Sequence, residues 1–436
     1  MLTKESMARV GAWEGYVVSS VRRFEAGEQG PRPEVWIELR PRENRLHKCG
    51  GCGRKVRQVH DWHERWIRDL PIFDADTRLL VNRCRVACRT CGPKVEALDW
   101  LAPYARVTRR LAESVGRLCK VLSIKHVAEH FNLRWDAVKA LDKATMEAEL
   151  GAPDFSGVTI RLIDEFALRK GHRFATVVMD GLRKRVLWVG KGRGREDIRP
   201  FFELLGREGC QRIQAVGMDM SAAFEGEVRA RCPQAEVVFD LFHVVARYGR
   251  EVIDRVRVDE ANRLRHDKAT RKVVKGAKWL LLRNWENLPD EKAKVRLNEL
   301  LEANQALMTV YLLKDDLKQL WDYKRTGWAR RAWEGWLDRA RESGIPPLIS
   351  FAKNLGKRID GILAHCDFPI HTSLIEGVNN KIKLIKRIGY GYRDDAYFFL
   401  KVRSAFPGIP GLTFFYPAQR CAPLFDLVDI SIIWKK

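Results

Sequence analysis

Long apolar runs, acidic charge and scattered cysteine are what this 436-residue sequence is short of. No segment is long and apolar enough to span a bilayer as a helix, and the longest charge-free run near the C-terminus is broken by three prolines. A helical membrane protein is therefore excluded. The opening residues, MLTKESMARV, hold no apolar core of a secretory signal, so the cytoplasm is the expected location. Acids number 56 against 79 lysines and arginines, a formal charge of +23. So large an excess calls for a polyanionic partner, most simply nucleic acid. Half of the ten cysteines fall between positions 49 and 91, which in a reducing compartment points to metal rather than disulfides. No internal repeat of roughly 20–50 residues recurs. What is present is an apolar content of 46%, enough for globular packing throughout. The length suggests about two to four domains.

Residues 15–21 and 34–39 read as strands separated by the turn-rich AGEQGPRP. Cys49 and Cys52 follow in CGGCG, and Cys88 and Cys91 in CRTCG, with a strand-rich stretch including 78–83 between them. Two Cys-x-x-Cys knuckles, each ending in glycine, describe a zinc ribbon. Four thiolates give zinc a closed tetrahedral shell, so the metal is expected to be structural. Cys84 is a spare that competes with Cys88 on chemistry but fits the spacing less well. His47, His60 and His63 lie nearby, where two complete knuckles leave no vacancy for them.

Residues 107–150 read as helices. In SIKHVAEHFNLRWDAVKAL a helix starts at Ser123 with Ala128 inside, a turn falls near Asn132 and Leu133, and a second helix turns Val138 and Leu141 inward. This is a helix-turn-helix pattern, whose second helix enters the major groove. Arg134, Trp135, Asp136 and Lys139 are its exposed positions, with Arg134, Trp135 and Lys139 the candidate DNA contacts. An ordinary helical hairpin is the bland alternative; the basic charge and the adjacent ribbon favour DNA.

The pattern changes after 151–157. Residues 160–163 form an apolar strand ending in Asp164. Residues 175–179 and 185–189 follow as strands about the hairpin signal Asp180-Gly181. A helix spans 197–205, a fourth strand 213–218 ends in Asp219, a helix covers 221–230, and a fifth strand 236–239 ends in Asp240. The order β-β-β-α-β-α-β is that of the ribonuclease-H-like fold, in which the first and fourth strands are neighbours. Asp164 and Asp219 are then expected to meet, with Glu165 on the opposite strand face. Residues 244–365 are helical and rich in tryptophan (Trp279, Trp285, Trp321, Trp328, Trp333 and Trp336), as expected of an α-helical insertion. Most of these rings belong in a core; one or two are candidates for stacking on DNA.

Beyond the insertion, Glu376 is the sole acid between Asp367 and Asp394. Leu374, Val378, Ile382 and Ile385 repeat at helical spacing, which puts Glu376, Asn380, Lys383 and Arg387 on another stripe. A carboxylate followed by an amide and two cations suits a site holding a metal ion and a phosphate backbone. The bland alternative is a capping box of Ser373 and Glu376 followed by solvated cations. Asp164, Asp219 and Glu376 together form an oxygen-rich trio suited to magnesium. Two such ions activate a water or a 3′-hydroxyl for in-line displacement at phosphorus.

The chain resembles bacterial insertion-sequence DDE transposases of the ISL-three family over roughly residues 10–405. The resemblance rests on CGGCG, HERWIRDLP, CRTCG, VAEHFNLRWDAVK, IDEFALRKGHRFATVVMD, VGMDMSAAF, VVFDLFHVV and IEGVNNKIKLIKRIGYGYRD. It implies that Asp164, Asp219 and Glu376 occupy the catalytic positions. Asp240 and His243 match a D-x-x-H motif, either touching the scissile phosphate or holding the insertion against the core, with the structural role favoured. Two departures stand out. Cys84 sits where an arginine is usual, and the proline-rich tail from Pro407 matches no expected C-terminus; core packing and self-association are its alternatives.

The expectation is thus a multidomain α+β protein. It comprises an N-terminal β segment and zinc ribbon (1–100), a helix-turn-helix (101–150), a ribonuclease-H-like core (151–243 and 366–405) interrupted by an α-helical insertion (244–365), and a tail (406–436). It would act as a transposase, with two magnesium or manganese ions and a structural zinc, on the terminal inverted repeats of its element and on target DNA. By family analogy it would work as a homodimer or larger synaptic complex, in a bacterial cytoplasm at the nucleoid. Lys383, Lys386, Arg387 and Arg393 would steer the DNA backbone past Glu376. The rivals are a transposase-derived regulator whose chemistry has decayed, a nuclease on the same fold and, behind both, a zinc-dependent hydrolase.

Overall fold

The computed structural model describes residues 3–169, 171–370 and 373–408, with Ser373 described by its backbone alone. They fall into two compact units: 3–152 with 382–405, and 153–381 with 406–408.

The first unit opens with α1 (Lys4–Gly11), then β1 (Tyr16–Phe24), β2 (Glu34–Pro41), β3 (His47–Lys48), β4 (Lys55–Val56), β5 (Val59–Ile72), β6 (Ala75–Cys88) and β7 (Gly92–Val95). One sheet has the order β1-β2-β6-β5, with β7 pairing the far end of β6, and β3 and β4 form a separate hairpin. Alternation along the strands turns Val35, Ile37, Leu39, Ile67, Leu79 and Val81 into one buried face. Three helices follow: α2 (Arg109–Cys119), α3 (Ile124–Phe131) and α4 (Trp135–Leu150). Asp69 on β5, fully buried, anchors the start of α2. It accepts from Thr108 Oγ1 at 2.6 Å, Arg110 Nε at 2.7 Å and Trp13 Nε1 at 2.9 Å. A buried carboxylate is tolerated because its acceptor sites are filled.

The second unit begins with β8 (Ile160–Arg169), β9 (Arg173–Asp180) and β10 (Arg185–Lys191), then α5 (Arg195–Gln211), β11 (Ala215–Met218), α6 (Ala222–Arg231) and β12 (Glu236–Phe239). Its strand order is β10-β9-β8-β11-β12. The three long strands are antiparallel, whereas β11 lies parallel to both β8 and β12. The expected neighbours, first and fourth strand, are therefore paired. The signal at Asp180-Gly181 marks a turn closed by the Asp180 carboxylate, which accepts from the N–H groups of Leu182 and Arg183. Short β11, and β12 after its first residue Glu236, are buried and apolar, as parallel strands covered on both faces must be.

From Leu241 to Leu363 the chain is helical: α7 (Leu241–Tyr248), α8 (Asp254–Arg263), α9 (Lys268–Gly276), α10 (Lys278–Leu282), α11 (Glu291–Ala303), α12 (Gln305–Gln319), α13 (Thr326–Glu342), α14 (Pro346–Gly356) and α15 (Ile359–Leu363). A π turn at Gly249–Ile253 joins α7 to α8. These helices share one core with the sheet. Trp333 and Trp336 are at its centre and Trp285 and Trp321 pack on its edge, while Trp279 and Trp328 stay exposed.

Two helices end the described chain, α16 (Ser373–Ile388) and α17 (Asp395–Ser404). The division between units falls inside α16, after Lys381. Its buried stripe is Ile375, Val378 and Ile382. Leu374, expected inward, is only half-buried, one residue off the register that the packing selects. The capping reading of Ser373 rests on a side chain outside the described residues, and so does the role of the tail beyond residue 408.

Candidate catalytic and DNA-binding sites

The two knuckles converge. The Sγ atoms of Cys49, Cys52, Cys88 and Cys91 all lie within 4.8 Å of one another. The first knuckle is closed by backbone bonds from Cys49 N to Arg54 O and from Gly53 N to Cys49 O. Gly53 and Gly92, just after the knuckles, adopt φ of 72° and 67°, where a side chain would be strained. Backbone N–H groups of Cys91 and Thr90 pull the Cys88 thiol down to about 6, so it is ready to act as a thiolate ligand. Four convergent sulfurs fit a structural zinc.

Cys84 does not compete for this site. It is buried earlier along β6 than Cys88, beside His47 and Glu96, its Sγ 3.2 Å from His47 Nδ1, which is 3.0 Å from Glu96 Oε2. Burial first, then the Glu96 charge, pushes the Cys84 thiol up to about 12. The Arg45 guanidinium pairs with Glu96 and supplies the positive charge there. His47, Cys84 and Glu96 thus form a neutralised buried knot behind the ribbon.

At the sheet of the second unit, register does the positioning. Ile163 pairs with Met218 and Met218 with Phe239, so Asp164 lies level with Asp219 and Asp240, which directly follow β11 and β12. The expected strand end at Asp164 is corrected: β8 runs on to Arg169, because its pairing with β9 continues through Asp164. Asp164 is buried; Oδ1 accepts from Glu165 N at 2.7 Å and Oδ2 from Asn379 Nδ2 at 2.6 Å. Burial is the main cause that raises the Asp164 carboxyl to about 6. The His243 charge and the Glu165 N–H act against it, and Asp219 adds to it. Asp219 accepts from Ser221 N. Asp240 caps α7 through Phe242 N, with His243 Nε2 3.7 Å from its Oδ2. Glu165 points away and pairs with Arg193. Glu376 is half-buried on the first turn of α16, one turn before Asn379. Among the described residues the trio is not a preclosed cluster: the groups whose ligand atoms all lie within 4.8 Å are the two of the ribbon region.

The residue that ties α16 to Asp164 is Asn379, which the sequence reading passed over for its neighbour Asn380, expected there as a DNA contact. Asn380 is exposed. Both sit on the helix near Glu376, and spacing alone does not separate i+3 from i+4.

The helix-turn-helix forms as read. Ser123 Oγ accepts from His126 N, Asn132 takes left-handed φ of 49°, and Val127, Ala128, Phe131 and Val138 pack inward with Leu141 at the edge. Arg134 and Trp135 are exposed. Lys139 is a correction: it is half-buried, its Nζ 2.8 Å from Asp394 Oδ2 and over the Trp135 and Tyr397 rings. Its charge is committed to the α17 cap. Lys383, Arg387 and Arg393 are exposed and Lys386 half-buried, all on the part of the chain that belongs to the first unit.

Residues 162–402 match the family model of the ISL3 DDE transposases, described as "Transposase". The chain belongs to the ISL3 transposase family. Two further matches are "Helix-turn-helix domain of transposase family ISL3" over 96–145 and "zinc-finger of transposase IS204/IS1001/IS1096/IS1165" over 45–91. Among relatives of this ISL3 chain, the transposase for insertion sequence element IS1001 of Bordetella parapertussis is 51% identical over 94% of this chain and 99% of its own length. The transposase for insertion sequence element IS1557 of Mycobacterium tuberculosis is 28% identical over 89% and 93%. This ISL3 protein is a DNA transposase with a zinc ribbon and a helix-turn-helix. No helix among its described residues is long and apolar enough to cross a membrane.

Proposed function

We propose that this transposase binds the terminal inverted repeats of its own element, cuts at the element ends and joins the freed 3′-hydroxyls to target DNA. The observation that carries the reading is the register at β8 and β11, which sets Asp164 beside Asp219, with Asn379 holding the Glu376 helix on Asp164. The strand order supports a ribonuclease-H-like core over 151–243, closed by the first half of α16 and interrupted by the helices of 244–365.

Asp164, Asp219 and Glu376 would hold magnesium, or manganese. Carboxylate oxygens are the donors these hard cations take, and a buried Asp164 raised by desolvation and by its acidic neighbour fits a site completed by positive charge. When bound, two ions would activate the attacking oxygen and stabilise the leaving one. Asn379 orients Asp164, His243 offsets its charge, and Asp240 fixes the start of α7. The ribbon (1–100) and the helix-turn-helix (101–150) would recognise the ends, with backbone contacts carrying most of the affinity. The working form would be a dimer or larger synaptic complex in the cytoplasm, at the nucleoid.

The test is magnesium-dependent cleavage and strand joining on DNA carrying the element's ends, comparing wild type with Asp219→Ala and Glu376→Ala. The expected result is that wild type cuts and joins, while both variants bind and do neither. Binding without cutting by wild type would replace this reading with that of a regulator. Cutting without joining would favour a nuclease.

A further inference from the structure

We propose that the turn joining α16 to α17, with Tyr390 at its tip, is a DNA contact that completes the helix-turn-helix surface. The inference rests on the reading that this protein binds its element's ends. It adds a binding element that neither the ribbon nor the 96–145 module contains.

The turn is built into the first unit from both sides. Asp394 caps α17 through Tyr397 N and pairs with Lys139, one turn into α4. Behind it, α17 is locked to the helix-turn-helix by buried polar contacts. Lys401 Nζ lies 2.8 Å from Asp142 Oδ2 and donates to Cys119 O at 2.6 Å, and Tyr397 OH bonds the same carboxylate. The Tyr392 ring stacks on Phe398, centroids 4.8 Å apart. The turn is thus held beside the first turn of α4, where Arg134 and Trp135 are exposed. On its other side the Tyr390 ring meets the edge of His126, in the first turn of α3, at 6.3 Å. The starts of these two helices are the side that a helix-turn-helix brings to the groove and its flanking backbone.

Tyr390 itself is 82% exposed and takes φ of 52°, with Gly391 at 91°. A ring that buries so little contributes little to packing, yet a left-handed turn presents it outward. Charge selects the partner. From 382 to 395 the chain carries Lys383, Lys386, Arg387 and Arg393 against Asp394 and Asp395, and Asp394 is already neutralised by Lys139. Cations with an exposed aromatic beside a recognition helix fit a duplex, its phosphates and the sugar edges next to the groove.

The experiment uses the full chain and a duplex carrying the element end. Affinity and hydroxyl-radical footprints are measured for wild type, Tyr390→Ala, Arg387→Ala and Trp135→Ala, with melting curves for each. The expected result for Tyr390→Ala and Arg387→Ala is unchanged melting, affinity weaker by about five- to tenfold and lost protection at one edge of the helix-turn-helix footprint. Wild-type affinity and footprint in both, alongside weakened binding by Trp135→Ala, would overturn the proposal and leave end binding standing. So would unchanged DNA affinity with lost self-association in light scattering, which would make the turn an interface between copies. If wild type does not bind the end, both readings fall together.

Discussion

Asn379 shows how one amide can matter more than its neighbours on the same helix. Its Nδ2 donates to a buried carboxylate that has few other ways to be satisfied. Truncation to alanine leaves Asp164 short of a donor at a cost of about 1–3 kcal/mol. We expect Asn379→Ala to lose at least about fivefold in end cleavage, since 1.4 kcal/mol is a factor of about ten, while its DNA affinity stays at the wild-type level in the same titration. The sequence showed the three acids because two follow short apolar runs and the third sits on a basic helix. It did not show Asn379, because choosing between adjacent asparagines needs the helix rotation that packing of Ile375, Val378 and Ile382 sets. Lys314 was equally invisible. It is buried on α12 with Nζ donating to Leu281 O and Arg283 O. Burial first, then Lys318, pulls its ammonium down to about 7. The folded value lies below the unfolded one, so the unfolded chain binds the extra proton. Stability is then lost as pH falls from about 10 toward 7, by roughly 1.4 kcal/mol per pH unit, and levels off below. Melting of Lys314→Met against wild type should move in favour of the variant over that window and no further under pH 7.

At the scale of elements, the legible parts are those whose chemistry is local. Cys-x-x-Cys with a following glycine, a serine cap before α3 and short apolar runs followed by aspartate each carry their own signal. The fate of Cys84 does not, because its partners His47 and Glu96 come from distant positions brought together by the pairing of β6 with β7 and by a bridge from Cys49 to Glu96. Zinc content separates the two cysteine environments. Cys52→Ser should lose the metal and loosen the ribbon, whereas Cys84→Ser should keep full zinc by elemental analysis. A loss of zinc in Cys84→Ser would return it to the ligand set.

For the whole molecule, the excess of positive charge predicts a steep response to salt. A transposase of charge +23 that neutralises several phosphates should lose about 10³-fold in affinity for its ends between roughly 50 and 200 mM salt. A titration nearly flat in salt would contradict backbone-dominated binding. The least legible property at this scale was the return of 382–405 to the first unit. Hydrophobic periodicity identifies α16 as a helix but carries no address, and the matched family segment 162–402 runs straight through α16 and α17. Asp142 is the address: buried in α4, it waits for an ammonium that arrives with Lys401. A gene fragment ending after codon 152 would therefore not encode a free-standing end-binding protein. Its product would lack the ammonium and the phenol that close on Asp142 and would leave the apolar helix face under α17 open to water. Internal stop codons in such an element should give proteolysed debris rather than a dominant repressor, and a stable short regulator would have to carry α17, or a substitute for it, along.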